Sequence, residues 1–187
     1  MLPPSSDPQR RVAVVRAFVA LLWAAALVIA VGGKMPSTHS DLSVGVAAFL
    51  ASYPLIDVVA SLIGAASAPD SARVLRLNAG VSALAAVAIG IAAFASTAGA
   101  TLVAFGLWAS VSGAILLARA IHRRRTEGRQ LPMIVSGGLS TIAGITFIAA
   151  SGMDEAKLTT IGGYMAFGAL LYLLWARRAQ PAPQAAA

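Results

Sequence analysis

Residues Ser43–Ala65 read SVGVAAFLASYPLIDVVASLIGA, an apolar run that contains a single charged side chain, that of Asp57. A helix of this length extends about 35 Å at a rise of about 1.5 Å per residue, and the hydrocarbon core of a bilayer is about 30 Å thick. Lipid offers no hydrogen-bond partners to the backbone, so such a segment must pair its amides internally. We therefore predict a transmembrane α-helix here.

Five further stretches have the same apolar character and length. They lie near Val12–Gly33, Leu75–Ser96, Thr101–Ile121, Met133–Ser151 and Leu158–Trp175. Of the 187 residues, 58% are hydrophobic and only 11% are charged, whereas about a quarter of the residues are charged in an ordinary soluble domain. The sequence thus predicts an all-α, polytopic membrane protein with six transmembrane helices, and it excludes a soluble globular domain.

The distribution of lysine and arginine predicts the orientation of these helices, because basic residues are retained on the cytoplasmic face. With a cytoplasmic N-terminus, twelve arginines fall on that face and only Lys34 and Lys157 fall on the other. This asymmetry requires an even number of helices, so both termini are predicted to be cytoplasmic. Residues 1–11 and 179–187 are then short tails of a membrane domain that spans residues 12–178. The first apolar stretch is longer than the core of a usual signal peptide, and we interpret it as a retained helix.

The connection between the fourth and fifth stretches is strongly basic, with Arg123, Arg124 and Arg125 in succession. Basic clusters of this kind attract anionic lipid headgroups at a cytoplasmic membrane surface. We predict that contact for these three side chains, in addition to contact of the helices with the lipid bilayer. The cluster has no aromatic residue to stack on bases, so nucleic acid is not an expected partner.

A unit of two helices recurs three times along the chain. The predicted hairpins span about residues 12–66, 74–122 and 132–178, and Gly80–Ser82 in the third helix matches Gly138–Ser140 in the fifth. Each hairpin enters the membrane from the same side. The copies are therefore parallel repeats related by an axis along the membrane normal, unlike the inverted repeats of many transporters.

Small residues recur on one face of the fourth and fifth helices, and a glycine occupies the corresponding place in the sixth. Because no hydrophobic force draws helices together in lipid, close approach over small residues supplies the packing contact. We therefore predict helix-packing roles for Gly106, Ser110, Gly113, Gly137, Thr141, Gly144 and Gly168. Packing within one molecule is the first interpretation, and the interface of a homo-oligomer is the alternative.

The threefold hairpin pattern, together with the segment FGLWASVSGAI at Phe105–Ile115, resembles the HdeD family of acid-resistance membrane proteins over about residues 12–178. The resemblance implies a six-helix protein of the bacterial inner (plasma) membrane, built from short repeats. It also implies a non-enzymatic role linked to acid or envelope stress, and it brings no catalytic residues. The segment Tyr53–Asp57 departs from the small-residue pattern of the other two copies.

Asp57 is the strongest candidate for a functional residue, because it lies inside a predicted span, where a charged side chain is costly to insert. Tyr53, Asp57 and Ser61 are spaced by four residues and so share one face of the helix. Arg16 is the natural counter-ion, since its long side chain enters from the same side of the membrane. Arg76 is the competing partner.

Two interpretations of this buried charge remain open. It is half of a structural ion pair that locks the first hairpin, or it is a proton-binding site, since burial and a nearby arginine act in opposite directions on a carboxyl group. The second interpretation makes the chain a small proton or solute transporter or channel. A contact to lipid or to a small ligand is a third interpretation.

Motifs typical of enzymes are missing from the sequence. It contains no Gly-x-Ser-x-Gly, no phosphate-binding loop, no His-Glu-x-x-His and no Rossmann glycine pattern. The acidic residues of the outer loops lack the spacing of metal ligands. We therefore expect a protein without catalytic residues, cofactor or metal.

The chain has three tryptophans, Trp23, Trp108 and Trp175. Tryptophan is enriched where a membrane meets water, because its ring is apolar and its N–H group is polar. We therefore predict that all three side chains face lipid or the membrane interface.

Overall fold

The computed structural model describes residues 8–31, 37–67, 69–127, 130–154 and 159–178. These residues form six α-helices and one short 3-10 turn, and they contain no strand. The helices are α1 (Pro8–Val31), α2 (Val44–Ser67), α3 (Ala72–Ala95), α4 (Ala98–Glu127), α5 (Leu131–Ala150) and α6 (Thr159–Arg178), and the turn is Pro69–Ser71. The predicted all-α class is thereby confirmed. Lys34, Lys157, residues 1–7 and the tail 179–187 lie outside the described residues.

Five of the described helices are long and apolar enough to cross a bilayer. Their apolar spans are Ala13–Val31, Val44–Ser67, Pro69–Ala95, Ala98–Arg125 and Leu131–Ala150. Large apolar side chains such as Leu22, Leu84 and Ile142 are exposed on their outer faces, as is typical of a surface that contacts lipid. These are the features of a multi-pass membrane protein. The helix α6 lies where the sixth span was predicted and has 20 residues. It is not among the five helices that are long and apolar enough to cross a bilayer.

Each helix packs against its neighbours in the chain, and α1 packs against α6, so that the described helices form a closed ring. Consecutive helices run antiparallel, as in α4 and α5, where Gly106 faces Gly144 and Gly113 faces Gly137. We call one end of the ring the terminal end, where α1, α3 and α5 begin and α2, α4 and α6 end. The opposite end is called the distal end.

Contacts around the ring alternate between extensive and slight. The pairs α2–α3, α4–α5 and α1–α6 pack extensively, whereas α1–α2, α3–α4 and α5–α6 touch less. The predicted hairpins correspond to the less extensive pairs, so the main contacts join helices of successive hairpins. Small residues between α4 and α5 and between α1 and α6 permit the close approach of these helices.

The α4–α5 contact brings two helix backbones together at four glycines, Gly106, Gly113, Gly137 and Gly144. A Cβ atom on Gly106 would lie 2.5 Å from the carbonyl oxygen of Gly144, and one on Gly137 would lie 2.6 Å from the backbone nitrogen of Leu117. Any larger residue at these positions would therefore push the helices apart.

Ser110 and Thr141 complete this interface, since the Ser110 hydroxyl donates a hydrogen bond to the carbonyl oxygen of Thr141 at 3.3 Å. The predicted packing residues of α4 and α5 thus lie together at one contact within the molecule. Gly168 does not take part in such a contact, contrary to the prediction, because a Cβ atom there would meet nothing within 4 Å. The adjacent Ala169 packs on α1, where it clusters with Ala17 and Ala20.

Connections at the distal end are tied together around Thr38. Its hydroxyl donates to the carbonyl oxygen of Met153, and its own carbonyl oxygen accepts from the amide of Gly99 at 2.8 Å. The carbonyl oxygen of Ser40 accepts from the amide of Ala98 at 2.9 Å. These bonds hold the α1–α2, α3–α4 and α5–α6 connections to one another and close the ring at this end.

Candidate functional site

Asp57 lies on the face of α2 that points into the ring, and it is only 3% exposed. Its carboxylate forms an ion pair with the guanidinium of Arg16 on α1. The other carboxylate oxygen accepts hydrogen bonds from Asn78 Nδ2 at 2.6 Å and from Ser82 Oγ at 2.7 Å, both on α3. The buried charge is therefore compensated, and both of its oxygens are hydrogen-bonded, as burial of a charge requires.

Arg16, and not Arg76, is the partner of Asp57. Arg76 is exposed on α3 and lies two residues before Asn78, which is about 200° round a helix of about 3.6 residues per turn. Because Asn78 faces the interior of the ring, Arg76 faces outwards, away from Asp57. Arg16 also lies over the ring of Tyr172 on α6, 4.8 Å from the ring centroid.

The ion pair belongs to a hydrogen-bond network that joins α1, α2, α3 and α4. Asn78 Nδ2 donates to Ser61 Oγ at 2.9 Å in addition to its bond with Asp57. On α4, Trp108 donates through Nε1 to Ser82 Oγ at 3.0 Å. Ser82 thus accepts from Trp108 and donates to Asp57, which orients its hydroxyl towards the carboxylate.

Asn78, Ser82 and Trp108 belong to the site although no sequence motif marks them. Asn78 and Ser82 are spaced by four residues in an otherwise apolar part of α3, so they share one helix face, and this spacing could have indicated partners for a buried acid. The prediction that Trp23 and Trp108 face lipid is wrong, because both are buried. Trp23 donates through Nε1 to Ser52 Oγ at 3.1 Å, and buried indoles usually find such an acceptor.

Tyr53 shares a face of α2 with Asp57, but it packs within an aromatic cluster. Its ring centroid lies 4.8 Å from that of Trp23, 5.6 Å from that of Trp108 and 6.3 Å from that of Phe105. The Trp108 ring meets Tyr53 edge-on, an arrangement that aromatic pairs favour. Tyr53 therefore lies at the boundary between the polar network and the apolar core.

A cavity of about 90 Å³ lies inside the ring beside the ion pair. Its polar wall includes Arg16, Asp57, Asn78, Ser112, Arg119 and Ser136. A second cavity, of about 100 Å³, shares Arg16, Ser61, Arg119 and Tyr172 with the first and adds Arg123 and Gln130. The two cavities are therefore neighbours that share part of their walls, the first beside Asp57 and the second nearer the terminal end. Each has room for several water molecules.

Apolar side chains fill the distal half of the ring. They are Leu27, Leu50, Ile89, Leu102, Phe105, Phe147 and Ile161, and all are buried in one cluster. Protein interiors of this kind pack as densely as organic crystals and hold few voids of the size of water. The polar cavities therefore end inside the bundle, and we call this cluster the distal plug.

The three arginines predicted to contact lipid headgroups occupy different environments in the structure. Arg124 and Arg125 are exposed, whereas Arg123 is half-buried and lines the second cavity. Trp175, predicted at the membrane interface, lines the same cavity. The basic sequence near the end of α4 thus provides one arginine to the interior and two to the surface.

No family model, curated protein or solved structure matches this chain. Within the described ranges, no group of histidine, aspartate and glutamate side chains could hold a metal ion. Function is therefore inferred from three features of the molecule: a compensated buried charge, polar cavities towards one end, and an apolar plug at the other.

Proposed function

We propose that this chain is a plasma-membrane protein with six transmembrane helices in three tandem hairpins, and that both of its termini are cytoplasmic. Two observations support this proposal. Contacts around the ring alternate with a period of two helices, as three copies of a hairpin would produce. In the described helices, every arginine lies towards the terminal end, which is the distribution of a cytoplasmic face.

The orientation and the sixth span can be tested with single cysteines, because the chain has none of its own. Asp154→Cys and Arg177→Cys place thiols at exposed positions before and near the end of α6. In intact cells, a membrane-impermeant maleimide should label the first variant at once and the second only after permeabilisation. Labelling of both variants from the same side would contradict a sixth span.

We further propose that the protein is non-enzymatic and HdeD-like, with a role in resistance to acid or envelope stress, and that it does not conduct protons or solutes. The distal plug is the observation that carries the non-conducting part, because conduction requires a continuous polar path. The exposure of Arg124 and Arg125 supports contact of these side chains with anionic headgroups. The role in stress depends on the sequence resemblance.

A transporter or channel that uses Asp57 is the second candidate. The observation that favours it is the position of this carboxylate on the wall of a cavity, with a second polar cavity between it and the terminal end. A charge held inside a membrane helix often marks a proton or ion pathway. The two candidates differ in whether the distal plug opens.

Proton flux into liposomes under an imposed pH gradient distinguishes the two candidates. The wild-type protein should give no flux above that of empty liposomes, and Asp57→Asn should give the same result. Wild-type flux that Asp57→Asn abolishes, in a variant that still folds, would overturn the non-conducting proposal in favour of transport.

Survival of the host bacterium tests the role in stress. A strain that lacks the protein should survive acid or envelope stress less well than its parent, and expression of the wild-type chain should restore survival. Arg76→Gln, a change on the outer face of α3, is the matched control and should restore survival equally. Equal survival of the deletion strain and its parent would contradict the stress role.

A further inference from the structure

The first cavity, the space of about 90 Å³ beside Asp57, is lined by serine side chains from three helices. They are Ser61 on α2, Ser112 on α4, and Ser136 and Ser140 on α5. Ser61 and Ser136 are only 3% and 4% exposed, so they belong to the interior of the ring and not to its lipid surface. The cavity thus gathers neutral polar groups around one space.

Three of these hydroxyls retain a hydrogen to donate. Within the described part of the chain, the Ser112 hydroxyl is buried and has no hydrogen-bond partner. The oxygen of Ser61 accepts from Asn78 Nδ2 at 2.9 Å, and that of Ser140 accepts from the Tyr164 hydroxyl at 2.9 Å. A hydroxyl that accepts still has its own hydrogen. Because a buried polar group without a partner is unfavourable, this wall favours a ligand that accepts hydrogen bonds.

The charged groups of the same wall are engaged with the protein itself. The oxygens of Asp57 already accept bonds from Arg16, Asn78 and Ser82. Arg119 also lines the cavity and has interactions of its own. Neither sign of charge therefore calls for a counter-ion in the cavity. The hydroxyls, and not the charges, define the ligand as a neutral acceptor.

Aromatic side chains form another part of the wall, with Tyr53, Trp108, Tyr164 and Tyr172 from α2, α4 and α6. The rings of Tyr53 and Trp108 meet edge-on, with 5.6 Å between their centroids. Aromatic surfaces pack favourably against further flat rings. A planar ring that carries acceptor oxygens would therefore match both the hydroxyl and the aromatic parts of the wall.

The cavity lies close behind the outer surface of the ring between α3 and α4. Val74 on α3 lines the cavity and is 40% exposed, and Ile115 on α4 lines it and is half-buried. The α3–α4 pair is also one of the slighter contacts of the ring. A ligand dissolved in the bilayer can therefore approach the cavity between these two helices.

We propose that the first cavity binds the headgroup of a membrane quinone. A quinone is neutral, dissolves in the bilayer, and carries two carbonyl oxygens that accept hydrogen bonds and donate none. Space for several water molecules also admits one such ring, and the attached hydrocarbon chain would remain in lipid. This proposal goes beyond the stress role and does not depend on it.

The test measures quenching of tryptophan fluorescence in the purified full chain in a neutral detergent. Quinones quench this fluorescence, and Trp108 lies on the cavity wall. The probes are a benzoquinone and a naphthoquinone with the same short alkyl chain, and an alkylbenzene with that chain serves as a competitor without oxygens. Quenching at a site saturates with concentration, whereas quenching by quinone dissolved in the micelle does not.

Two substitutions of Ser112 probe the site. Ser112→Ala removes a donor, and it breaks no hydrogen bond within the described residues because the hydroxyl has no partner there. Ser112→Leu adds bulk to the cavity wall. The matched controls are Ser67→Ala and Ser67→Leu, the same changes at an exposed serine near the end of α2.

We expect saturable quenching of the wild type by at least one quinone, without competition from the alkylbenzene. Ser112→Ala should raise the apparent Kd about threefold to tenfold, because one hydrogen bond is lost. Ser112→Leu should raise it at least about tenfold, because the side chain overfills the space. Both Ser67 variants should bind like the wild type.

Three results would overturn the proposal: quenching by both quinones that never saturates, equal competition by the alkylbenzene, or an apparent Kd that the Ser112 variants leave unchanged. Each variant is first checked for folding by its melting temperature. If Ser112→Leu does not fold, the comparison of Ser112→Ala with Ser67→Ala decides, and equal binding by these two variants contradicts a quinone site at Ser112.

Discussion

The terminal and distal halves of the ring are built from the same helices but enclose different interiors. In the terminal half, Asp57, Arg16 and Asn78 line one polar cavity, and a second cavity lies nearer the end of the bundle. In the distal half, side chains such as Leu50 and Ile89 are completely buried in an apolar cluster. A single helix, α2, therefore contributes Asp57 to the polar interior and Leu50 to the apolar interior.

The difference shows how a membrane protein can keep a charge in one half of its interior and pack the other half with apolar side chains. The carboxylate of Asp57 is stabilised by donors that converge on it, because an isolated charge in a low-dielectric interior is strongly unfavourable. The side chains of the distal plug carry no polar groups that need partners, so packing alone stabilises them. The ion pair and the polar cavities thus lie in the half that carries the arginines, and α3, which contributes Ser82 to one half and Ile89 to the other, offers positions that probe both.

The largest expected effect comes from Asp57→Asn, which removes the charge that compensates Arg16. Loss of one partner from a buried ion pair lowers the free energy of unfolding by about 3–5 kcal/mol. Titration with SDS in mixed micelles would measure this loss. The double variant Asp57→Leu with Arg16→Met should recover most of it, because neither charge then remains buried. Unchanged stability of Asp57→Asn would refute the structural role of the pair.

A smaller effect is expected from Ser82→Ala on α3. This change removes the bond to the Asp57 carboxylate and leaves Trp108 Nε1 without its acceptor. A hydrogen bond to a charged group contributes about 1.5–3 kcal/mol, and the same SDS titration should detect a loss of this size. The fluorescence of Trp108 should also change, and an unaltered spectrum would argue against the bond.

On the distal half of the same helix, Ile89→Val tests packing without any polar group. Ile89 is fully buried, so loss of one methylene group should lower the free energy of unfolding by about 0.5–1.5 kcal/mol. Proton permeability of liposomes should stay unchanged, because the remaining side chains still close the interior. A loss larger than that of Ser82→Ala would reverse the ranking of the two halves.

Arg76→Gln should have the smallest effect, with a change in the free energy of unfolding within about 0.5 kcal/mol. Arg76 is exposed on the outer face of α3, and surface charges of this kind contribute little to stability. The variant is measured beside Asp57→Asn as a control for loss of charge. A destabilisation comparable to that of Asp57→Asn would indicate that Arg76, and not Arg16, compensates the carboxylate.

Some parts of the site follow directly from sequence. A single acid within an apolar span must have a partner, and Arg16 is a basic residue that enters from the same side. The choice between Arg16 and Arg76 needs the rotation of α3, which is set by how that helix packs. The spacing of Asn78 and Ser82 marks a polar face of α3, but which neighbour that face meets depends on the same rotation.

For two of the tryptophans, the structure contradicts a definite prediction made from the sequence. A rule about membrane interfaces placed Trp23 and Trp108 at the lipid surface, whereas both lie inside the ring and donate hydrogen bonds to serine hydroxyls. The rule reflects an average over many proteins, and it fails where a particular interior supplies an acceptor. Ser52 and Ser82 supply the acceptors here.

By itself, the sequence determined the helical class, the positions of five apolar spans and the presence of one buried acid. These properties depend on local composition, because the backbone must pair with itself wherever lipid excludes water. The closure of α6 onto α1, the partners of Asp57 and the division of the interior into polar and apolar halves were decided only by the tertiary structure. They depend on the rotation and depth of each helix, which arise from contacts between residues far apart in the chain.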